Sequence, residues 1–220
     1  MHLLQPQPEI TTSSPIKPLS TLDSDLDLDH VQRDPWVNLK TEIEQVDWLI
    51  LHFNHWFSHL NVTLVRGDFE PEYFPAENNA PARIQFAHGF FNSALHEISH
   101  WTIAGEKRRL LPDLGYWYAP DGRTAEQQAL FEQVEIKPQA IEWMFSTAFG
   151  RPFRVSLDNL TGEGGDGQIF KGRVYAQVQK FFSGESQLPR DAKRFIDCIC
   201  LCTRGGKILQ SNEFNRSMLG

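Results

Sequence analysis

The sequence predicts an α+β fold, a single compact domain in which helices pack on a small mixed sheet. Several stretches repeat apolar residues at three- and four-residue steps, the period of a helix that buries one face. Two short runs, Val62 to Arg66 and Arg83 to Ala87, are β-rich and bounded by Pro, Gly, Asn and Asp. With 220 residues, the chain has enough material for one sizeable core and too little for two ordinary ones.

Residues 1–38 are rich in Pro, Ser, Thr and Asp, a composition that predicts a flexible extension. The folded domain is expected over 39–203. It opens on a helix whose stripe is Ile43, Val46, Ile50, Phe53, Phe57 and Leu60. The two strands follow. A helix from about Gly89 to Ala104 comes next, ended by Gly105 as a left-handed cap. The loop Tyr116 to Arg123 separates it from a helical region beginning near Ala125. Pro138 predicts a break near Glu135 to Pro138, because proline removes a helical hydrogen bond and clashes with the preceding turn. A fresh helix then reaches Phe149, with Ile141, Met144, Phe145 and Ala148 on one face. Phe153 to Leu157 reads as a strand, Thr161 to Gly167 as a glycine-rich loop, and Phe170, Val174, Val178 and Phe181 as another helical stripe. The last helix is expected over Asp191 to Thr203, and 204–220 as a tail.

A net charge of −7 and an isoelectric point near 5.6 argue against direct nucleic-acid binding, whose affinity comes from clustered Lys and Arg. The same balance suits a cationic partner. No run approaches the roughly 20 apolar residues of a membrane span. Met1 to Pro18 has neither a basic nor an apolar leader segment, so a cytoplasmic location is expected. Cys198, Cys200 and Cys202 crowd one helix and read as small core residues, not as a disulfide framework. Arg66-Gly67-Asp68 reads as a turn. Asn159-Leu160-Thr161 fits a glycosylation acceptor that a cytoplasmic chain would not use.

The chemistry concentrates in His96-Glu97-Ile98-Ser99-His100. Histidines four residues apart on a helix project from one face, where both imidazoles can reach a single cation. Phe91, Ala94, Ile98 and Trp101 recur on the opposite face and predict that the helix is anchored from behind, which makes it a zincin-like metal helix. A third ligand is needed, and Phe131-Glu132-Gln133-Val134-Glu135 offers two carboxylates. Glu135 is preferred, with Gln139 four residues on as a hydrogen-bonding partner for a ligand histidine, an arrangement similar to that of glutamate-zincin peptidases. Glu132 is the alternative ligand. His88 is assigned to the substrate side or to a supporting role. His52, His55 and His59 read as a solvated helix face. Two histidines and a carboxylate serve zinc hydrolysis and Fe(II) oxygen chemistry alike. Glu97 would be a general base in the first and would orient water or a ligand in the second.

Longer blocks carry a resemblance. Phe86-Ala87-His88-Gly89-Phe90, Ala94-Leu95-His96-Glu97-Ile98-Ser99-His100-Trp101, Ile103-Ala104-Gly105, Gly115-Tyr116-Trp117-Tyr118, Pro120-Asp121-Gly122-Arg123, Phe131-Glu132, Val134-Glu135 and Lys137-Pro138-Gln139-Ala140 resemble the elongation factor P hydroxylase family from about Asn61 to Phe195. The resemblance implies a non-haem iron enzyme that uses dioxygen to hydroxylate a lysine of elongation factor P already carrying a β-lysyl group. It implies His96, His100 and Glu135 as ligands of Fe(II), with Glu97 beside them. Zinc or another divalent ion could occupy the same donors. Tyr116 and Tyr118 would cover the aliphatic stem of the modified lysine, and Asp121 would meet an ammonium group. Two other readings stay open: a zinc metallopeptidase-like hydrolase, and a non-catalytic, metal-stabilised domain that binds a translation factor.

Overall fold

The computed structural model describes residues 36–115, 125–156 and 167–219. The fold is α+β, with five α-helices and one three-stranded mixed sheet among the described residues. Helix α1, Glu42–Trp56, opens with a reciprocal cap. The Thr41 hydroxyl accepts from the Glu44 N–H at 3.2 Å, and the Glu44 carboxylate accepts from the Thr41 N–H at 2.9 Å, which satisfies two orphan donors of the first turn. The buried face of α1 differs from the expected stripe. Val46, Phe53 and Phe57 are inside, but Ile43 and Leu60 are exposed while Trp48, Leu49 and Trp56 are buried. Large indole rings take the core in their place. His52 stacks on Trp48 and its Nδ1 lies 2.8 Å from the Trp48 carbonyl oxygen, so only His55 and His59 of the three histidines are exposed.

Strand β1, Val62–Arg66, pairs in parallel with β3, Ala82–Phe86, in a register that sets Val62 opposite Ala82 and Arg66 opposite Phe86. Strand β2, Glu72–Phe74, is not among the expected strands; it pairs antiparallel with β3 on the other side. Three residues are too few to show a two-residue period. The sheet order is therefore β1-β3-β2, with the inward residues Val62, Leu64, Ala82, Ile84 and Phe86 buried.

Helix α2, Phe91–Arg108, leaves β3 through a 3-10 turn at Ala87–Gly89. Its expected buried face, Phe91, Ala94, Ile98 and Trp101, is buried, and Leu95 joins it. Gly105 interrupts the helix at φ 67°, ψ 173°. That is a conformation glycine tolerates, but it is not the left-handed cap expected, and a last helical turn follows to Arg108. There the Arg109 guanidinium lies 3.7 Å from the centre of the Trp101 ring and pairs with Asp191.

Helix α3, Ala125–Ala148, runs through Pro138 without the expected break. Proline costs a helix about 3 kcal/mol, and burial offsets it: every residue from Pro138 to Ser146 is buried. The segment after α3 is not a strand. Phe153 and Val155 are buried and Arg154 and Ser156 exposed, so the alternation is real, but no described strand lies alongside. The backbone of Ser156 bonds instead to the Gln139 side chain, its N–H donating to Oε1 at 3.0 Å and its carbonyl accepting from Nε2 at 3.1 Å. Leu157 and positions 161–166 of the expected loop lie outside the described residues, as does the Asn159 acceptor pattern.

Helices α4, Gly167–Ser183, and α5, Arg190–Thr203, pack on α3. Gly167, the last residue of the expected loop, is thus the first of α4. On α5, Cys198 and Cys200 are buried and Cys202 partly so; burial pushes the Cys200 thiol up to about 12. No helix among the described residues is long and apolar enough to cross a membrane.

Buried residues lie beyond both ends of the expected 39–203 span. Residues after Arg204 are docked, since Leu209, Phe214 and Leu219 are buried and Phe214 meets Trp143 edge-on. At the other end Trp36 is buried among Trp48, Phe91 and Phe149 and its indole N–H donates to the Phe149 carbonyl at 3.1 Å. Trp36→Ala is therefore expected to cost about 3–5 kcal/mol in urea unfolding; a loss below about 0.5 kcal/mol, the range of neutral surface changes, would show that Trp36 is not part of the core.

Candidate metal centre

The anchored back of α2 turns His96 and His100 toward α3. Their Nε2 atoms lie 3.1 Å apart. Glu135 meets them from α3, with Oε1 3.3 Å from His100 Nε2 and Oε2 3.7 Å from His96 Nε2. Among the described residues these three form the one group of His, Cys, Asp and Glu side chains able to share an ion. The spacing can be tested against a cation. Donors held at about 2.1 Å sit about 3.0 Å apart at the corners of an octahedron and about 3.4 Å apart on a tetrahedron. The observed separations, 3.1, 3.3 and 3.7 Å, lie within a few tenths of an ångström of these values, so the donors fit a divalent ion without naming it.

Helix continuity makes this possible. Glu135, Gln139 and Glu142 fall at steps of four and three along α3, which places them on one face. Each is buried. Sequence reasoning misses Glu142, and it is what holds His96: Oε2 lies 2.9 Å from His96 Nδ1. A carboxylate only accepts, so Nδ1 carries the hydrogen and Nε2 faces Glu135 and His100. The signal that could have exposed Glu142 is a lone acid in the apolar run Ala140-Ile141-Glu142-Trp143-Met144-Phe145.

Gln139 does not reach a ligand histidine as expected. It bonds to the backbone of Ser156 and sits close enough to Glu135 to help lower its pKa, so it favours the charged carboxylate instead of supporting an imidazole. Glu132 is half-buried one turn away and outside the metal group. Glu97 is half-buried beside the centre, close enough that the charges of His96 and His100 act on it. His88 is exposed at φ 50° and lines a shallow depression with Ile43, Arg66, Gly67, Asp68 and Gly89, to which none of the three metal-group residues contributes. Tyr116, Tyr118 and Asp121 lie outside the described residues.

Electrostatics follow from packing acids and imidazoles together. Burial alone would lower the His96 pKa, but the Glu142 hydrogen bond and the charges of Glu142, Glu135 and Glu97 raise it to about 10. Burial would raise Glu135, yet the charge and hydrogen bond of His100, then His96 and Gln139, bring it down to about 2. Glu97 is pushed upward, chiefly by burial, against the pull of the two histidines.

A helix presenting two imidazoles to a carboxylate from a second, buried helix defines the class: an α+β protein with a candidate site for one divalent ion. The chain belongs to the elongation factor P hydroxylase family, whose model matches residues 52–213. A relative from Haemophilus influenzae, an elongation factor P lysine hydroxylase, is 50% identical over 147 residues, covering 66% of this chain and 82% of its own length.

The metal-free protein should show a stability maximum. His96, raised from 6.5 to about 10, stabilises the fold fully below pH 6.5, a contribution lost as pH rises through 10. Glu135, lowered from 4.5 to about 2, stabilises it above pH 4.5, a contribution lost as pH falls through 2. Thermal unfolding in chelator should give the highest Tm between these limits, with a decline on the alkaline side that added metal ion reduces. A Tm that stays level from pH 6.5 to 10 would contradict the pairing of His96 with these acids.

Proposed function

We propose that this chain hydroxylates the lysine of elongation factor P that carries an added β-lysyl group, in the cytoplasm, with one non-haem Fe(II) and dioxygen. The observation that carries the reading is the convergence of His96, His100 and Glu135 in a chain of this family. The activity named for the Haemophilus influenzae relative supports the protein substrate.

In this reading His96, His100 and Glu135 would hold the iron, which would supply the activation of dioxygen. One oxygen atom enters a carbon–hydrogen bond as a hydroxyl group. The other leaves as water, and that balance takes two electrons and two protons from a reductant. Glu97, with its carboxyl held above the usual range by burial, is the group beside the centre suited to hold or pass a proton. Gln139 keeps Glu135 aimed. The surplus of acidic residues favours approach of a long cationic side chain. Tyr116 and Tyr118 are assigned to the aliphatic stem of that side chain and Asp121 to an ammonium group. His88 is kept as a substrate-side residue in the turn that precedes α2.

Mass spectrometry of β-lysylated elongation factor P tests the reading. Incubation with Fe(II), reductant and air should add one oxygen atom per modified lysine, and the same mixture without oxygen should add none. His96→Ala, His100→Ala and Glu135→Ala should each lower the rate by more than about 100-fold, since loss of a ligand exceeds the 10–100-fold cost of losing an outer partner. Peptide cleavage with zinc, and no oxygen incorporation with iron, would favour the hydrolase reading. Undiminished binding of elongation factor P by the variants, with no turnover in the parent, would favour a binding domain.

A further inference from the structure

Glu142 has a role beyond filling space. Its side chain is 10% exposed and sits on a stretch of helix that is buried around its whole circumference, where a carboxylate without a partner is strongly unfavourable. Its partner is not a cation of the surface but the outer nitrogen of His96, at 2.9 Å. The same imidazole turns its other nitrogen to His100 and Glu135. Seven residues, about 10.5 Å of helix rise, separate Glu135 from Glu142, and the two acids bracket one ring. The position four residues after Glu135 is already occupied, because both ends of the Gln139 amide are bonded to the Ser156 backbone.

We propose that Glu142 is the positioning residue of the metal centre. By accepting from His96 Nδ1 it fixes the tautomer that leaves Nε2 free for the ion and locks the ring plane, and it makes the imidazole a stronger donor. His96 therefore depends on two acids of one helix, one sharing the ion and the other aiming the ring. The inference rests on the metal-centre reading given above.

Binding of Co(II) to the metal-free full-length chain tests it, with affinity read by competition against a chromophoric chelator and geometry by the visible Co(II) spectrum. Glu142→Leu, which keeps the volume and apolar packing but cannot accept a hydrogen bond, and Glu142→Ala should each weaken Co(II) by about 10–100-fold and alter the spectrum. Glu142→Gln keeps the reach and an acceptor oxygen, so it should recover most of the loss and a parental spectrum. Near-ultraviolet circular dichroism checks the fold, and the leucine variant decides if the alanine variant does not fold. Parental affinity and spectrum in Glu142→Leu would overturn the inference, as would Glu142→Gln no closer to the parent than Glu142→Leu. The parent and His96→Ala separate this from the broader reading. Equal Co(II) binding by those two would mean the centre itself is misplaced, whereas loss in His96→Ala alone would leave the centre standing and refute only the role of Glu142.

Discussion

A carboxylate inside a protein needs a partner, and α3 carries two of them, Glu135 and Glu142, on one buried face. Burying an unpaired charge costs far more than a domain's net stability permits. The two imidazoles of α2 are the partners. Their presentation requires that α2 be held from behind by Phe91, Ala94, Leu95, Ile98 and Trp101. It also requires that α3 keep its helical phase through Pro138, since a break there would rotate Glu142 away from Glu135. Helices α4 and α5 pack on α3 and complete the enclosure. The fold and the candidate centre are thus one arrangement: the core excludes water from the acids, and the acids are stable there because the histidines face them.

In the metal-free protein the compensation is protonic. A charged His96 between Glu135 and Glu142 neutralises part of the acidic cluster, which is why its pKa rises although burial opposes the charged form. A divalent ion bound to the same donors replaces that proton with a larger positive charge, so metal binding and proton release are linked. Glu97 stands just outside this exchange and feels both histidines without joining the ligand group.

Local periodicity made β1, α2, α4 and α5 legible, and a turn of helix with histidines four apart made two of the three candidate donors legible with them. Glu135 was reachable because few carboxylates follow at a useful distance. What stayed hidden depends on the third dimension. The proline rule is local, and packing around all sides of α3 overrides it. Phe153 to Ser156 alternates like a strand, but whether a strand forms depends on a neighbour, and there the Gln139 amide takes the backbone bonds instead. The stripe on α1 gave way to Trp48 and Trp56 because rings of that size bury more surface than the aliphatic residues they displaced. Glu142 lies seven residues from Glu135, and its contact with His96 spans 46 positions in the chain, a distance that no spacing rule connects.

The donor set alone does not choose between oxygen insertion and hydrolysis, and the family assignment favours the former. Both depend on one ion at one place. Anomalous diffraction from crystals of the full-length chain loaded with a divalent metal tests that most directly. The expected result is a single peak about 2.0–2.2 Å from His96 Nε2, His100 Nε2 and a Glu135 oxygen, with Glu142 still bonded to His96 Nδ1 and not to the metal. A peak elsewhere, or one with Glu135 outside bonding distance, would contradict it.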